Sequence, residues 1–208
     1  MIDQTVTIRD FLDAAAAKKP TPGGGAVAAL AGALAASMGE MVLNYSVGKK
    51  DLAAHVEQLK GALSSFNRAR QLLVQLMVED QSAFETISAI KKLPADSTER
   101  QDRFPAALLA CIRTPQTIAA TGVAILELCD QLADRVNCYL LSDLAVCADL
   151  AMATVRCAVY NVRVNLGDIA DQEDRASIQS TTGRMLDHAV GLIRRVIPRI
   201  WDRYDKGP

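Results

Sequence analysis

Histidine is scarce in this 208-residue sequence: only His55 and His188 occur, far apart. That scarcity argues against a zinc site and against a Ser-His or Cys-His nucleophile pair. Aromatic residues make up 4 %, and no segment sustains the alternation of a half-buried strand, so β architecture is not expected. A formal net charge of −1 leaves no basic footprint for nucleic acid. No Cys-x-x-Cys pair occurs among Cys111, Cys129, Cys138, Cys147 and Cys157. An odd number of thiols without a framework reads as reduced and mostly buried, in a cytoplasmic setting. The start, Met1-Ile-Asp-Gln-Thr5, lacks the basic and apolar regions of a signal peptide. No stretch reads as a membrane span, because the uncharged run from Thr21 to Gly39 is mostly Ala and Gly and partitions weakly into lipid.

What is present is apolar sequence with helical period. Half of the residues are hydrophobic, enough for one domain over residues 1–208. The spacing predicts an all-α bundle of about six or seven mostly antiparallel helices. They are expected at about Thr7 to Lys18, Gly24 to Val47, and Asp51 to Lys92 with a bend near Gly61. Further helices follow at Ser97 to Arg113, Pro115 to Asp134, Asn137 to Leu166 and Asp174 to Trp201, the last kinked or interrupted at Pro198. Leu141, Leu144, Ala148, Met152, Val155 and Val159 mark one buried stripe.

Thr21-Pro22-Gly23-Gly24-Gly25 opens the second of these helices. Free N–H groups at a helix start suit an anionic or carbonyl-bearing ligand. A plain loop start explains the same residues. Gly25, Gly32 and Gly39 recur every seven residues, which makes a narrow stripe for close helix packing. No Gly-Lys-Ser/Thr follows, so this is not a phosphate loop.

Several polar residues interrupt apolar stripes. Asp80 shares a face with Leu73, Met77, Phe84 and Ile87. A carboxylate there has a raised pKa unless paired. It is either a core residue capping a neighbouring helix or pairing with an arginine, or a general acid/base held near neutrality. Asn44 precedes Gly48-Lys49-Lys50, where helix-end chemistry accounts for the glycine and the lysines. Asn137 is a good N-cap for a helix that then carries Ser142 and Asp143. Asn161 and Asn165 lie four apart on one face, placed to bond each other or something polar. Asp143 and Asn161 share a face but stand roughly 27 Å apart along an unbroken helix. They touch opposite ends of a long ligand, or belong to different sites across a symmetric dimer.

These residues, in this order, resemble the cyclodeaminase/cyclohydrolase family. The resemblance covers Phe11-Leu-Asp13, Pro20 to Leu30, Asn44 to Lys50, Glu79 to Phe84 with Leu93-Pro94, Asn137 with Ser142-Asp143, and Asn161 to Leu166. It implies an all-helical homodimer acting on one-carbon tetrahydrofolates with no metal and no cofactor. Asp80 and Asp143 are then the acid/base candidates, Asp80 preferred. Lys49 is placed to meet the glutamate tail or the pterin carbonyl. Asn44, Ser142, Asn161 and Asn165 are the pterin-orienting residues, and Gly23, Gly24 and Gly25 let the ring or tail approach the backbone. The chain departs from the family at Ala26, Ala95, Val136 and Leu141, which lack the Ser, Lys, Gly and smaller residue common there. The expected activity is hydrolysis of 5,10-methenyltetrahydrofolate, chosen because no formiminotransferase domain accompanies the sequence. Formiminotetrahydrofolate cyclodeaminase is the second expectation. A non-catalytic ligand-binding or interaction protein is the third, and it would show Asp80 paired with arginine and reached by no pocket.

Overall fold

A computed structural model describes residues 5–207; the part of the signal-peptide reading that falls on Met1–Gln4 lies outside them. The described residues form six α-helices and no strand. They are α1 (Ile8–Ala16), α2 (Gly24–Asn44), α3 (Val56–Lys91), α4 (Thr98–Leu132), α5 (Leu141–Asn165) and α6 (Gln172–Asp205). Short 3-10 turns precede α3 (Lys50–His55) and α5 (Cys138–Leu140), and one follows α5 (Leu166–Asp168). From α2 onward consecutive helices run antiparallel. Asp80 meets Gly25 and Phe66 meets Gly39, so α3 descends along α2. Asn161 meets Gly24 while Asn137 bonds Ser46, so α5 does the same on its other side.

The core is continuous across α2, α3, α4, α5 and α6. The stripe from Leu141 to Val159 is buried as the period predicts. Three local expectations fail. The break between Arg113 and Pro115 is absent, and α4 passes through both Pro105 and Pro115. Proline there removes the N–H that would bond the carbonyl four residues back. For Pro115 that carbonyl is Cys111 O, and Asn165 Nδ2 donates to it at 3.2 Å. A side chain of α5 thus replaces the missing backbone bond. Likewise α6 continues through Pro198 and is not interrupted there. Finally, three segments are long and apolar enough to cross a membrane: Gly24–Asn44, Thr98–Leu132 and Cys138–Asp168. Their Ala, Leu and Val content serves packing as well, since about half of each apolar window (50–56 %) is buried inside the bundle.

The glycine heptad is a packing device within the chain. A methyl at Gly39 would overlap the ring of Phe66, which is fully buried. A methyl at Gly32 would meet Leu73 and Thr154 at 3.0 Å. All five cysteines are free thiols, three of them buried. At the far side of the bundle, Arg195 and Arg199 of α6 clamp Asp130 of α4 and Asp134 in the turn that follows it. Arg203 donates to the carbonyls of Ala133 and Val136.

Candidate active site

The N-terminus of α2 has no side-chain cap of its own: Gly23 occupies the N-cap position. Asp80, arriving from the middle of α3, takes that role, and its carboxylate accepts from the Ala26 N–H. The contact requires glycine, because a methyl at Gly25 would overlap Asp80 Oδ1. At Gly24 an added methyl would crowd the Asn161 amide at 3.2 Å, a tighter approach than side chains usually make. Two of the three loop glycines therefore admit protein side chains to the helix start. Gly23 stays open toward Pro20.

Around this point is a cavity of about 170 Å³, lined in part by Thr21, Gly23–25, Asp80, Phe84, Asn161 and Asn165. Burial pushes the Asp80 carboxyl up from the ordinary carboxylate range, and the Ala26 N–H partly opposes that. No ion pair to Asp80 exists among the described residues. Lys91, on the same helix, is held by Asp168 at 2.6 Å. Capping of a neighbouring helix, the structural role considered for Asp80, is thus present. The arginine partner that a non-catalytic role calls for is not, and the cavity reaches the carboxylate.

The amide donors of both asparagines are engaged. Asn161 Nδ2 donates to Cys157 O at 2.8 Å, and Asn165 Nδ2 to Asn161 O at 2.8 Å and to Cys111 O. The two do not bond each other side chain to side chain. Their Oδ1 atoms accept nothing from the described residues and remain available. Asp80, Asn161 and Asn165 together make an acceptor-rich wall opposite an apolar one of Phe84 and Val164. Phe84, expected in the buried stripe, is 43 % exposed and stands beside the cavity. Cys111, Thr21 and Val164 line the cavity too and escaped sequence reasoning. Thr21 Oγ1 donates to Glu85 at 3.1 Å, a link visible only once α3 lies beside the loop.

The remaining candidates sit at the other end of the α2–α5 pair. Lys49 Nζ donates to Asn137 Oδ1 at 3.1 Å and lies 5.5 Å from the Tyr139 ring centre. Asn137 Oδ1 also accepts from the Tyr139 N–H, and its own N–H donates to Ser46 Oγ at 2.9 Å. Ser142 and Asn44 are exposed, and Asp143 is half-buried. Because α5 is unbroken from Leu141 to Asn165, Asp143 stands ~27 Å from Asn161. One protomer does not bring Lys49, Asn44, Ser142 or Asp143 to Asp80.

A second groove, about 690 Å³, lies between α4 and the start of α6 among Leu108, Ile112, Ile169 and Ile178. Two of its three acids are occupied, since Asp168 holds Lys91 and Asp171 caps α6, and the third, Asp174, is exposed on the first turn of α6. The Asp80 cavity is the better place for proton chemistry.

The chain is similar to several known proteins. A methenyltetrahydrofolate cyclohydrolase of Methylorubrum extorquens is 32 % identical over 176 residues, covering 81 % of this chain and 85 % of its own. The formimidoyltransferase-cyclodeaminase of Gallus gallus is 30 % identical over 183 residues, 86 % of this chain; the matched part is 34 % of that longer protein. The crystal structure of a formiminotetrahydrofolate cyclodeaminase from Thermotoga maritima superposes with a TM-score of 0.82 at 26 % identity, covering 97 % of both chains. A family model described as formiminotransferase-cyclodeaminase matches residues 7–184, and the chain belongs to that family.

Proposed function

We propose that this chain hydrolyses 5,10-methenyltetrahydrofolate to 10-formyltetrahydrofolate, with Asp80 as the acid/base. The observation that carries this is a carboxylate with no cationic partner, held at the start of α2 and facing a cavity. Asp80 takes a proton from water as the water oxygen bonds to the methenyl carbon between N5 and N10. The resulting tetrahedral carbon breaks its bond to N5. The electron pair stays on N5, which receives the proton back from Asp80. The remaining hydroxyl loses its proton to solvent and becomes the formyl oxygen on N10. A carboxyl whose pKa lies above the ordinary range is suited to both transfers. The step as written uses no metal and no cofactor.

The free acceptor oxygens of Asn161 and Asn165 match the N–H donors of a reduced pterin, and Phe84 offers its ring an apolar wall. Likeness to the Methylorubrum cyclohydrolase over most of both chains favours hydrolysis. Likeness to the Thermotoga cyclodeaminase over 97 % of both chains supports a second reading. There N10 attacks the N5-formimino carbon, Asp80 moves the proton, and ammonia leaves. The acting unit is proposed to be a homodimer.

Purified protein given methenyl- and formimino-tetrahydrofolate in parallel separates these readings. Loss of the methenyl chromophore faster than the uncatalysed rate is expected. Its appearance from the formimino substrate would transfer the assignment to cyclodeaminase. No effect on either would remove both.

A further inference from the structure

We infer that Pro115, which does not line the Asp80 cavity, decides what that cavity accepts. By withholding an N–H it fixes the Asn165 amide with its oxygen toward the ligand, so that the site selects reduced pterins over oxidised ones. The choice of ligand rests on the proposed reaction; the fixing of the amide does not.

Three prolines lie inside helices among the described residues, and each frees the carbonyl four residues back. Pro105 frees that of Gln101 and Pro198 that of Arg194, both exposed residues. Pro115 is itself buried, and it frees the carbonyl of Cys111, a buried residue that lines the cavity. A carbonyl there needs a donor from the protein. Asn165 supplies it across the α4–α5 seam at 3.2 Å, and the same nitrogen donates to Asn161 O at 2.8 Å.

An asparagine amide has two orientations that exchange its oxygen and its nitrogen. In Asn165 both hydrogens of Nδ2 have acceptors, and the turned orientation would set Oδ1 against two carbonyl oxygens. Oδ1 is therefore fixed as an acceptor, and solvent reaches it at the cavity. Were residue 115 able to donate, its backbone N–H would take Cys111 O in the ordinary helical bond. Asn165 would keep one acceptor of its two, and its second hydrogen could turn toward the ligand as readily as its oxygen. Asn161 is held less firmly, with Cys157 O as the acceptor for its Nδ2. Pro115 is thus a positioning residue that acts through Asn165.

Fixed polarity has a chemical consequence. Asp80, Asn161 and Asn165 offer acceptors to the ring edge that enters the cavity. In a tetrahydropterin N8 carries hydrogen, whatever one-carbon group N5 bears. In a fully oxidised pterin N5 and N8 are both bare lone pairs. The acceptor wall attracts the first edge and repels the second, and a site built to bond an N–H rejects the analogue that lacks it. An amide free to turn would serve either.

Calorimetry with tetrahydrofolate and with folic acid on the full chain tests this. Wild type should bind tetrahydrofolate about 100-fold or more tighter than folic acid. Pro115→Ala should shrink that ratio about tenfold, while its unfolding midpoint equals or exceeds that of wild type because α4 regains a hydrogen bond. A purely structural proline would move the midpoint and leave the ratio alone. On an Asn165→Ala background, Pro115→Ala should not change the ratio further. Hydrogen exchange of the Asn165 side-chain amide, followed by NMR without ligand, should be slow for both hydrogens in wild type and faster for one in Pro115→Ala. An unchanged ratio in folded Pro115→Ala overturns the inference, as does an equal loss on the Asn165→Ala background. Fast exchange of either hydrogen in wild type overturns it without recourse to any variant. A chain that binds tetrahydrofolate but hydrolyses no methenyl substrate removes the proposed reaction, and the ratio still decides the role of Pro115. Binding of neither pterin removes both.

Discussion

Asp80 and Asp130 are both aspartates at helix seams, and the bundle treats them in opposite ways. Asp130 lies where α4 meets α6. Arg195 hydrogen-bonds it and Arg199 stands beside it, which holds its carboxyl below the ordinary carboxylate range. Asp80 lies where α3 meets α2, and burial raises its carboxyl. The α4–α6 seam carries ion pairs at its rim, and the α2–α3 seam sets glycines against fully buried Leu73 and Phe66. Charge already neutralised holds helices together, whereas charge kept without a partner beside a cavity is available for a reaction. The intolerant seam is the one we propose carries the chemistry.

The sharpest way to break this contrast is Gly25→Ala. The added methyl overlaps the Asp80 carboxylate, which swings away, while alanine repays about 0.5–1 kcal/mol of helix propensity. Turnover should fall by about 100-fold or more with a nearly unchanged melting temperature, as read by steady-state rates and thermal unfolding. Gly39→Ala, ~21 Å along the same seam, should do the converse. It meets a buried ring that has nowhere to go, so about 1–3 kcal/mol of stability is lost, with kcat kept in the folded fraction. Asp130→Asn should cost less than about 1 kcal/mol, and the loss should shrink in high salt. Chemical denaturation at two ionic strengths reads it.

The pH dependence sharpens the same pair. A raised native pKa means the folded state holds the proton more tightly than the unfolded chain does. Asp80 therefore lowers stability as pH rises from the ordinary carboxylate range through its own raised value, and above that the penalty is constant. Asp130, with a lowered pKa, contributes stability above the ordinary carboxylate range and loses it as pH falls through its lowered value. Asp80→Asn keeps an oxygen for the Ala26 N–H and should flatten the first slope, raising relative stability at neutral pH. Asp130→Asn should flatten the second. Denaturation midpoints across pH test both signs.

The fold was largely legible because its signals are local: apolar period, small-residue stripes and the Asn137 cap. Pro115 misled because what rescues α4 is Asn165, 50 positions along the chain, and no local rule contains that bond. Asp80 stood out as a carboxylate in an apolar stripe, and the structure shows that it caps α2 and faces the cavity. The loop glycines were legible as a site but not in their job. Gly24 and Gly25 make room for Asn161 and Asp80, a role that needs the neighbouring helices in place. Phe84 read as core because period assigns a face and cannot tell a core from a cavity wall. Lys49, Ser142 and Asp143 carry the family's pattern yet lie at the other end of the α2–α5 pair, because the unbroken α5 sets Asp143 ~27 Å from Asn161.

The central claim is that the Asp80 carboxylate moves the proton. The direct test is kcat of Asp80→Asn on methenyltetrahydrofolate, beside its unfolding midpoint and its affinity for tetrahydrofolate. The account predicts a fall in kcat of about 100-fold or more, with folding and binding retained and the acid limb of the pH–rate profile gone. Full turnover by a folded Asp80→Asn enzyme, with that limb intact, would contradict it.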